Sequence, residues 1–278
     1  MPDGRPIGVF DSGVGGLTVV RAIIDLLPNE PILYFGDTAR SPYGDRPVDQ
    51  IRAFAREIAS ELLARDVKML VVACNAIEVS ATSELTDRAG VPVIGVIEAG
   101  VRAGLRATRN GRIGVIGTRA TIDSGAYPRA LAVEDGGAEI HTHACPAFVP
   151  YVERGDTTSP ELLAIAREYL APLVAAGVDT LILGCTHYPL LSGLLQVVMG
   201  PEVVLISSAD EVAKDVYGAL VRGDLLRIDG SPPTHEFLCS GDPESFLGLG
   251  SRFLGPEVVE VRPVRVERAA VSGEAPWS

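Results

Sequence analysis

Lysine is almost missing from this chain: only Lys68 and Lys214 occur among 278 residues, so arginine carries nearly all of the positive charge. Aromatic side chains are scarce at 5%, and acids outnumber bases for a net charge of −12. A surface of that sign repels phosphate backbones and anionic lipid, which disfavours nucleic acid as the primary ligand and any membrane partner. No apolar run approaches the ~20 residues that cross a bilayer. The opening residues, Met1 to Gly13, show no basic stretch followed by an apolar one. Four cysteines in a chain of this length make no disulfide scaffold. They are expected as free thiols in a cytoplasmic protein.

What the chain has in quantity is aliphatic side chain. Hydrophobic residues make up 47% and charged residues 22%, enough to bury a sizeable core and too apolar for a disordered protein. Short apolar runs alternate with amphipathic stretches. Ile7-Gly-Val-Phe10, Ile32-Leu-Tyr-Phe35, Val67 to Ala73 and Val93-Ile-Gly-Val96 read as strands buried on both faces. Ile113-Gly-Val-Ile116, Thr180-Leu-Ile-Leu183 and Val203-Val-Leu-Ile206 read the same way. Between them, 47–65, 161–176 and 209–222 carry helical spacing. Ser159-Pro160-Glu161 and Asp242-Pro243-Glu244 each combine a cap, a proline at the first helical position and an acid in the first turn. The rhythm predicts βαβ units and parallel sheets covered by helices, an α/β fold. Residues 267–278 have no periodicity and are expected to fray.

A weak internal repeat organises these elements. Ile7-Gly-Val-Phe-Asp-Ser-Gly13 resembles Ile113-Gly-Val-Ile-Gly-Thr-Arg119, and Val71-Val-Ala-Cys-Asn75 resembles Ile182-Leu-Gly-Cys-Thr186. Parallel sheets bind ligands at the carboxyl ends of their strands. Two related halves facing each other would put Cys74 and Cys185 on opposite walls of one cleft. A thiol has a pKa near ~8.5, so a local field can hold one as thiolate and its partner as thiol. Such a pair can take a proton from one face of a carbon and return one to the other. Asp11 ends the first strand and His187 lies two residues after Cys185, so each is a candidate to orient a thiol or tune its pKa. Cys145 and Cys239 do not follow the strand-end pattern and read as small apolar fillers.

Asp11-Ser-Gly-Val-Gly-Gly16 partly matches a dinucleotide loop, with Asp37 placed like a ribose-binding acid, but Thr18 stands where the third glycine belongs. The loop amides and the Ser12 hydroxyl suit a small carboxylate equally well. Tyr43-Gly44 is a candidate second wall, or a plain turn.

Four segments together, Phe10-Asp-Ser-Gly-Val-Gly-Gly16, Gly36-Asp-Thr-Ala-Arg-Ser-Pro-Tyr-Gly44, Ala73-Cys-Asn75 and Gly184-Cys-Thr-His-Tyr-Pro-Leu-Leu191, resemble the glutamate racemase family, actinobacterial members above all. The similarity runs from about Ile7 to Gly255. It implies two similar α/β domains related by pseudo-two-fold symmetry, residues 1–97 with 208–278 and residues 98–207, with the active site between them. It implies cofactor-independent interconversion of L- and D-glutamate for peptidoglycan synthesis, in a protein that is often a homodimer. By the same resemblance Cys74 takes the α-proton of D-glutamate and Cys185 that of L-glutamate. Asp11 then supports Cys74, while Glu153 and His187 support Cys185. Asp11, Ser12, Tyr43, Gly44, Asn75, Ala76, Thr186 and His187 match substrate-binding positions.

One departure is plain. After Cys-Asn the family usually carries Thr or Ser and then small residues, whereas this chain has Ala76-Ile77-Glu78. A substrate-binding hydroxyl is absent, and bulk and charge are expected to crowd the first helical turn. That leaves open a racemase for aspartate or another amino acid, or a catalytically weakened regulatory homologue. Pyridoxal chemistry is not expected, since it needs a Schiff-base lysine. Lys68 begins a strand on the side away from the cleft, and Lys214 lies in an amphipathic helix.

Overall fold

The computed structural model of the chain describes residues 3–134 and 137–265. The expected fraying of 267–278 lies outside the described residues. The strands are β1 (Ile7–Asp11), β2 (Ile32–Gly36), β3 (Met69–Val72), β4 (Val93–Ile94), β5 (Arg112–Gly117), β6 (Glu139–Ala144), β7 (Thr180–Gly184), β8 (Val204–Ile206), β9 (Glu236–Cys239) and β10 (Val261–Pro263). Helices fill the crossovers. They are α1 (Leu17–Leu26), α2 (Val48–Ala64), α3 (Asn75–Arg88), α4 (Ile97–Ala107), α5 (Arg119–Asp123), α6 (Ala126–Glu134), α7 (Phe148–Glu153), α8 (Pro160–Ala176), α9 (Ser192–Met199), α10 (Ala209–Arg222) and α11 (Pro243–Phe253). No helix among the described residues is long and apolar enough to cross a membrane.

Two sheets result, ordered β10-β9-β2-β1-β3-β4 and β6-β5-β7-β8. Every recorded pairing is parallel. The inner order β2-β1-β3-β4 is repeated by β6-β5-β7-β8, so the sequence repeat is a repeat of topology. Central strands β1, β2, β3 and β7 are buried along their whole length, which is why continuous apolar runs marked them.

The structure corrects the sequence reading at the sheet edges. β6, with the sequence Glu-Ile-His-Thr-His-Ala, is a half-exposed edge strand without an apolar run. Its existence places Cys145 directly after a strand end, and Cys239 closes β9, so neither lies away from a strand end. Both thiols are nevertheless turned into the packed interior and are fully buried. Only two of the four expected strand residues 93–96 pair with β3, because the backbone at Val96 already begins α4.

At the opposite edge from the strand C-termini, Lys68 and Glu30 form a buried pair at 2.6 Å, with side chains 0% and 1% exposed. The Lys68 ammonium also donates to the carbonyls of Asp3 at 2.7 Å and Leu225 at 2.9 Å. Glu30 Oε1 accepts from the Arg227 amide at 2.8 Å, while Oε2 has no hydrogen-bond partner apart from this ion pair. The pair fastens the start of β3 to the segments before β1 and after α10. Breaking a buried pair strands a charge, at a cost of about 3–5 kcal/mol. Glu30→Gln should therefore lower the free energy of unfolding, read from urea denaturation, by an amount of that order, and adding Lys68→Met should recover part of it. Equal stability of Glu30→Gln and the unaltered protein in urea denaturation contradicts this account.

Candidate active site

The carboxyl ends of β1, β3, β5 and β7 open on one narrow cleft. Ser12, Tyr43, Gly44, Cys74, Asn75 and Ala76 line it from the first sheet, and Cys185, Thr186 and His187 from the second. All of these are expected site residues. The two remaining ones, Asp11 and Glu153, stand behind this lining rather than in it.

Cys185 directly follows β7, and its sulfur lies 3.9 Å from His187 Nδ1. Glu153, at the end of α7, places Oε1 3.5 Å from His187 Nε2. That is an ion-pair distance, and it leaves Nε2 without a closed hydrogen bond. Burial alone would lower the His187 pKa; the hydrogen bonds to Cys185 and Glu153, with the nearby charges of Cys185 and Asp11, overcome it and push the imidazole up to about 10. Burial likewise pulls the Glu153 carboxyl upward, but His187 and the Ser41 hydroxyl, which donates at 3.0 Å, hold it below the usual range. The wall at Cys185 thus contains a cation at neutral pH.

Cys74 has different surroundings. It is the N-cap of α3, and its Sγ lies 3.7 Å from the Ser12 hydroxyl. Burial first, and then the negative charge of Asp11, push the thiol pKa far up; the Ile77 amide and Ser12 offset only part of this. Asp11 is fully buried and accepts from the Gly13 amide at 3.0 Å and the Thr186 hydroxyl at 3.3 Å. It therefore touches both walls, and it acts on Cys74 through its field rather than through a hydrogen bond.

The glycine loop earns a reading other than the dinucleotide one. A Cβ at Gly15 would sit 2.7 Å from His187 Nδ1 and would overlap the Thr186 hydroxyl, so glycine is needed where the walls meet. Asp37 is no ribose acid: it is buried, receives the Tyr43 hydroxyl and the Arg40 guanidinium, and accepts from Ser240 at 2.5 Å. It orients Tyr43 in the cleft wall.

The expected crowding by Ile77 and Glu78 does not occur. Ala76 lines the cleft, but Ile77 is fully buried in the core against the first sheet and α2. The Glu78 carboxylate turns to the amides of Val96 and Ile97, where burial pushes its pKa up to about 7 against the pull of those two bonds. The sequence reading also missed Thr118 and Thr121, two cleft hydroxyls 3.3 Å apart. The signal existed, because the internal repeat pairs Thr118 with Ser12. Neither lysine lines the cleft: Lys68 is in its buried pair, and Lys214 is exposed on α10. Among the described residues no group of three or more His, Cys, Asp or Glu is placed to hold a metal ion.

Residues 7–216 match the family described as Asp/Glu/Hydantoin racemase. A glutamate racemase of Beutenbergia cavernae is 54% identical, covering 98% of this chain and 95% of the relative. One of Mycobacterium tuberculosis is also 54% identical, covering 95% and 97%. The solved glutamate racemase of Francisella tularensis in complex with D-glutamate superposes with a TM-score of 0.89 at 36% identity, covering 95% and 99%. With its paired thiol-bearing strand ends and this similarity along nearly its whole length, the chain belongs to the Asp/Glu/Hydantoin racemase family.

Proposed function

We propose that this protein interconverts L- and D-glutamate by proton transfer between two thiols, without a cofactor, and so supplies D-glutamate for peptidoglycan. The observation that carries the reading is one thiol from each of two topologically equivalent strand ends on one cleft, Cys74 after β3 and Cys185 after β7. The relatives' activity and the D-glutamate held by the Francisella protein support the substrate.

In the forward direction the Cys74 thiolate removes the α-proton of D-glutamate, and the Cys185 thiol delivers a proton to the opposite face, giving L-glutamate. The thiols end with exchanged protonation states, and the reverse reaction or solvent restores them. Asp11 beside Cys74, and the Glu153–His187 pair beside Cys185, hold or pass the protons at sulfur. The Ser12, Thr186 and Asn75 side chains, with the amides of the loop before α1 and of Gly44, are the groups that bind the substrate's carboxylates and ammonium. The family resemblance extends to a cytoplasmic setting and a homodimer, the latter readable by sedimentation.

Cys74→Ser and Cys185→Ser should each nearly abolish racemisation with the fold intact by circular dichroism. In deuterated water the product enantiomer should carry deuterium at Cα. Full activity in either variant sinks the two-thiol mechanism. Optical rotation followed with single enantiomers of several amino acids decides between glutamate and another substrate.

The rate should follow a bell in pH whose limbs belong to the coupled groups. His187 keeps its proton up to about 10. Glu153→Gln removes one of the groups that raise it, so the alkaline limb should move to lower pH. A limb unmoved in the pH–rate profile separates Glu153 from the Cys185 wall.

Ala76→Thr restores a hydroxyl to the lining. A hydrogen bond to a charged group contributes about 1.5–3 kcal/mol, so kcat/KM for glutamate should rise by about tenfold or more. A value unchanged or lower overturns the expectation that a hydroxyl at this position binds substrate.

A further inference from the structure

Glu78 lies outside the cleft lining, and the mechanism above does not use it. On the sequence it reads as an acid favoured by the dipole of its own helix. In the fold it serves a different helix. Its Oε2 accepts the backbone amides of Val96 at 2.6 Å and Ile97 at 3.0 Å, at the start of α4. Opening amides of a helix have no partner within it, and the residue at the α4 cap position offers no side-chain bond. Glu78 is the missing cap, supplied from α3.

The neighbouring backbone is shaped for that contact. A Cβ at Gly95 would overlap Glu78 Oε1, so only glycine lets the carboxylate reach the α4 amides. Farther along, α4 lies against β7 through its own glycines. A Cβ at Gly104 would come within 2.8 Å of Ile182 Cδ1, and one at Gly100 within 3.4 Å of Ile182 Cγ2. Ile182 lies in β7, three residues before Cys185, which follows that strand. At the other end of the connection, Cys74 caps α3, the helix that bears Glu78. Behind the cleft, an unbroken path thus joins the two thiols: Cys74, α3, the Glu78 carboxylate, α4, β7 and Cys185.

We propose that Glu78 is a positioning residue that fixes Cys185 relative to Cys74 by clamping the start of α4 to α3. It touches no substrate. A second tie runs beside it, from Asn75 Oδ1 to the Tyr127 hydroxyl at 2.8 Å, with the Tyr127 ring against Gly184. Asn75 itself lines the cleft, so Glu78 is the member of this joint that can be altered without touching the binding surface. The proposal rests on the two-thiol reading, because a fixed separation matters only if both sulfurs act on one carbon.

The test compares the unaltered chain with Glu78→Ala and Glu78→Gln, each shown folded at the assay temperature by circular dichroism. A misplacement on the scale of an ångström costs up to about 100-fold in rate, so Glu78→Ala should lose about tenfold or more in kcat for both enantiomers, with KM within about threefold. Glu78→Gln keeps an acceptor oxygen and should stay within about threefold of the unaltered protein in kcat. Hydrogen exchange gives a reading independent of turnover. In Glu78→Ala it should quicken both at the start of α4 and at Gly184–His187, and in Glu78→Gln at neither. Quickening confined to α4, an unchanged kcat in Glu78→Ala, a loss expressed in KM alone, or equal impairment in Glu78→Gln overturns the proposal. Failure of the unaltered chain to racemise glutamate would instead strike the substrate reading, and the exchange pattern would still decide whether Glu78 positions Cys185.

Discussion

Parallel strands can be joined only by crossovers, and that constraint determines where everything else in this protein can be. Each strand from β1 to β9 is followed by a helix, so strand ends and helix starts collect along one edge of each sheet. When two such sheets turn those edges toward each other, the cleft between them is lined by short strand-to-helix turns. In this chain those turns are 12–16, 73–75, 117–118 and 185–187, and they hold nearly every polar group that faces the cleft. The amides at the starts of α1 and α3 point their positive ends inward, a suitable field for a dicarboxylate. The far edge of the first sheet is closed by the Lys68–Glu30 pair, which keeps the one buried lysine away from the chemistry.

Equivalent topology does not mean equivalent electrostatics. Cys74 has a helix N-terminus in its favour, an effect of about 0.3–1 kcal/mol at exposed sites and up to about 2 kcal/mol when partly buried. Burial of a charge is the larger effect, reaching several pKa units. With Asp11 adding a second unfavourable charge, burial wins and favours the thiol form of Cys74. Across the cleft the buried charge next to Cys185 is positive, because Glu153 and the sulfur together sustain the His187 imidazolium. One wall is anionic around its sulfur and the other cationic. Two thiols in identical surroundings would have the same proton affinity and no reason to divide a proton unequally; the differing neighbours Asp11 and His187 give them that reason. Asp11 belongs to both sides, since it also receives the Thr186 hydroxyl.

How legible this was in the sequence depends on how local each feature is. Strands buried on both faces announce themselves as apolar runs, and the helix starts at Ser159 and Asp242 were readable because a cap needs only its own neighbours: both side chains accept the amide three residues on. Edge strands β6 and β10 carry no such run, because one of their faces stays wet, and with β6 hidden Cys145 lost its strand-end position. The pairing of the two thiols on one cleft was legible through repetition, since Cys74 and Cys185 recur at matched distances from matched strands. The same repeat pairs Ser12 with Thr118, although a single hydroxyl is too common a residue to stand out. Contacts between distant segments left no mark at all. Nothing within a few residues of Asp37 shows that it would hold Ser240, or that the Gly15 backbone would meet His187.

The segment Ala76-Ile77-Glu78 shows why a run of unusual residues should not be treated as one change. Successive side chains on an α-helix point about 100° apart, so three consecutive positions face three different surroundings. Ala76 faces the cleft and alters what substrate meets. Ile77 enters the core between the first sheet and α2, where its size adds apolar burial and a smaller residue would leave a void. Glu78 reaches the start of α4 and bears on the joint between the two sheets. Replacing all three by small residues would restore room or a hydroxyl at the first position while opening a cavity at the second and unfastening a helix at the third. The effects would oppose one another in a single measured rate, so the contribution of Ala76 to catalysis is visible only when Ile77 and Glu78 are left in place.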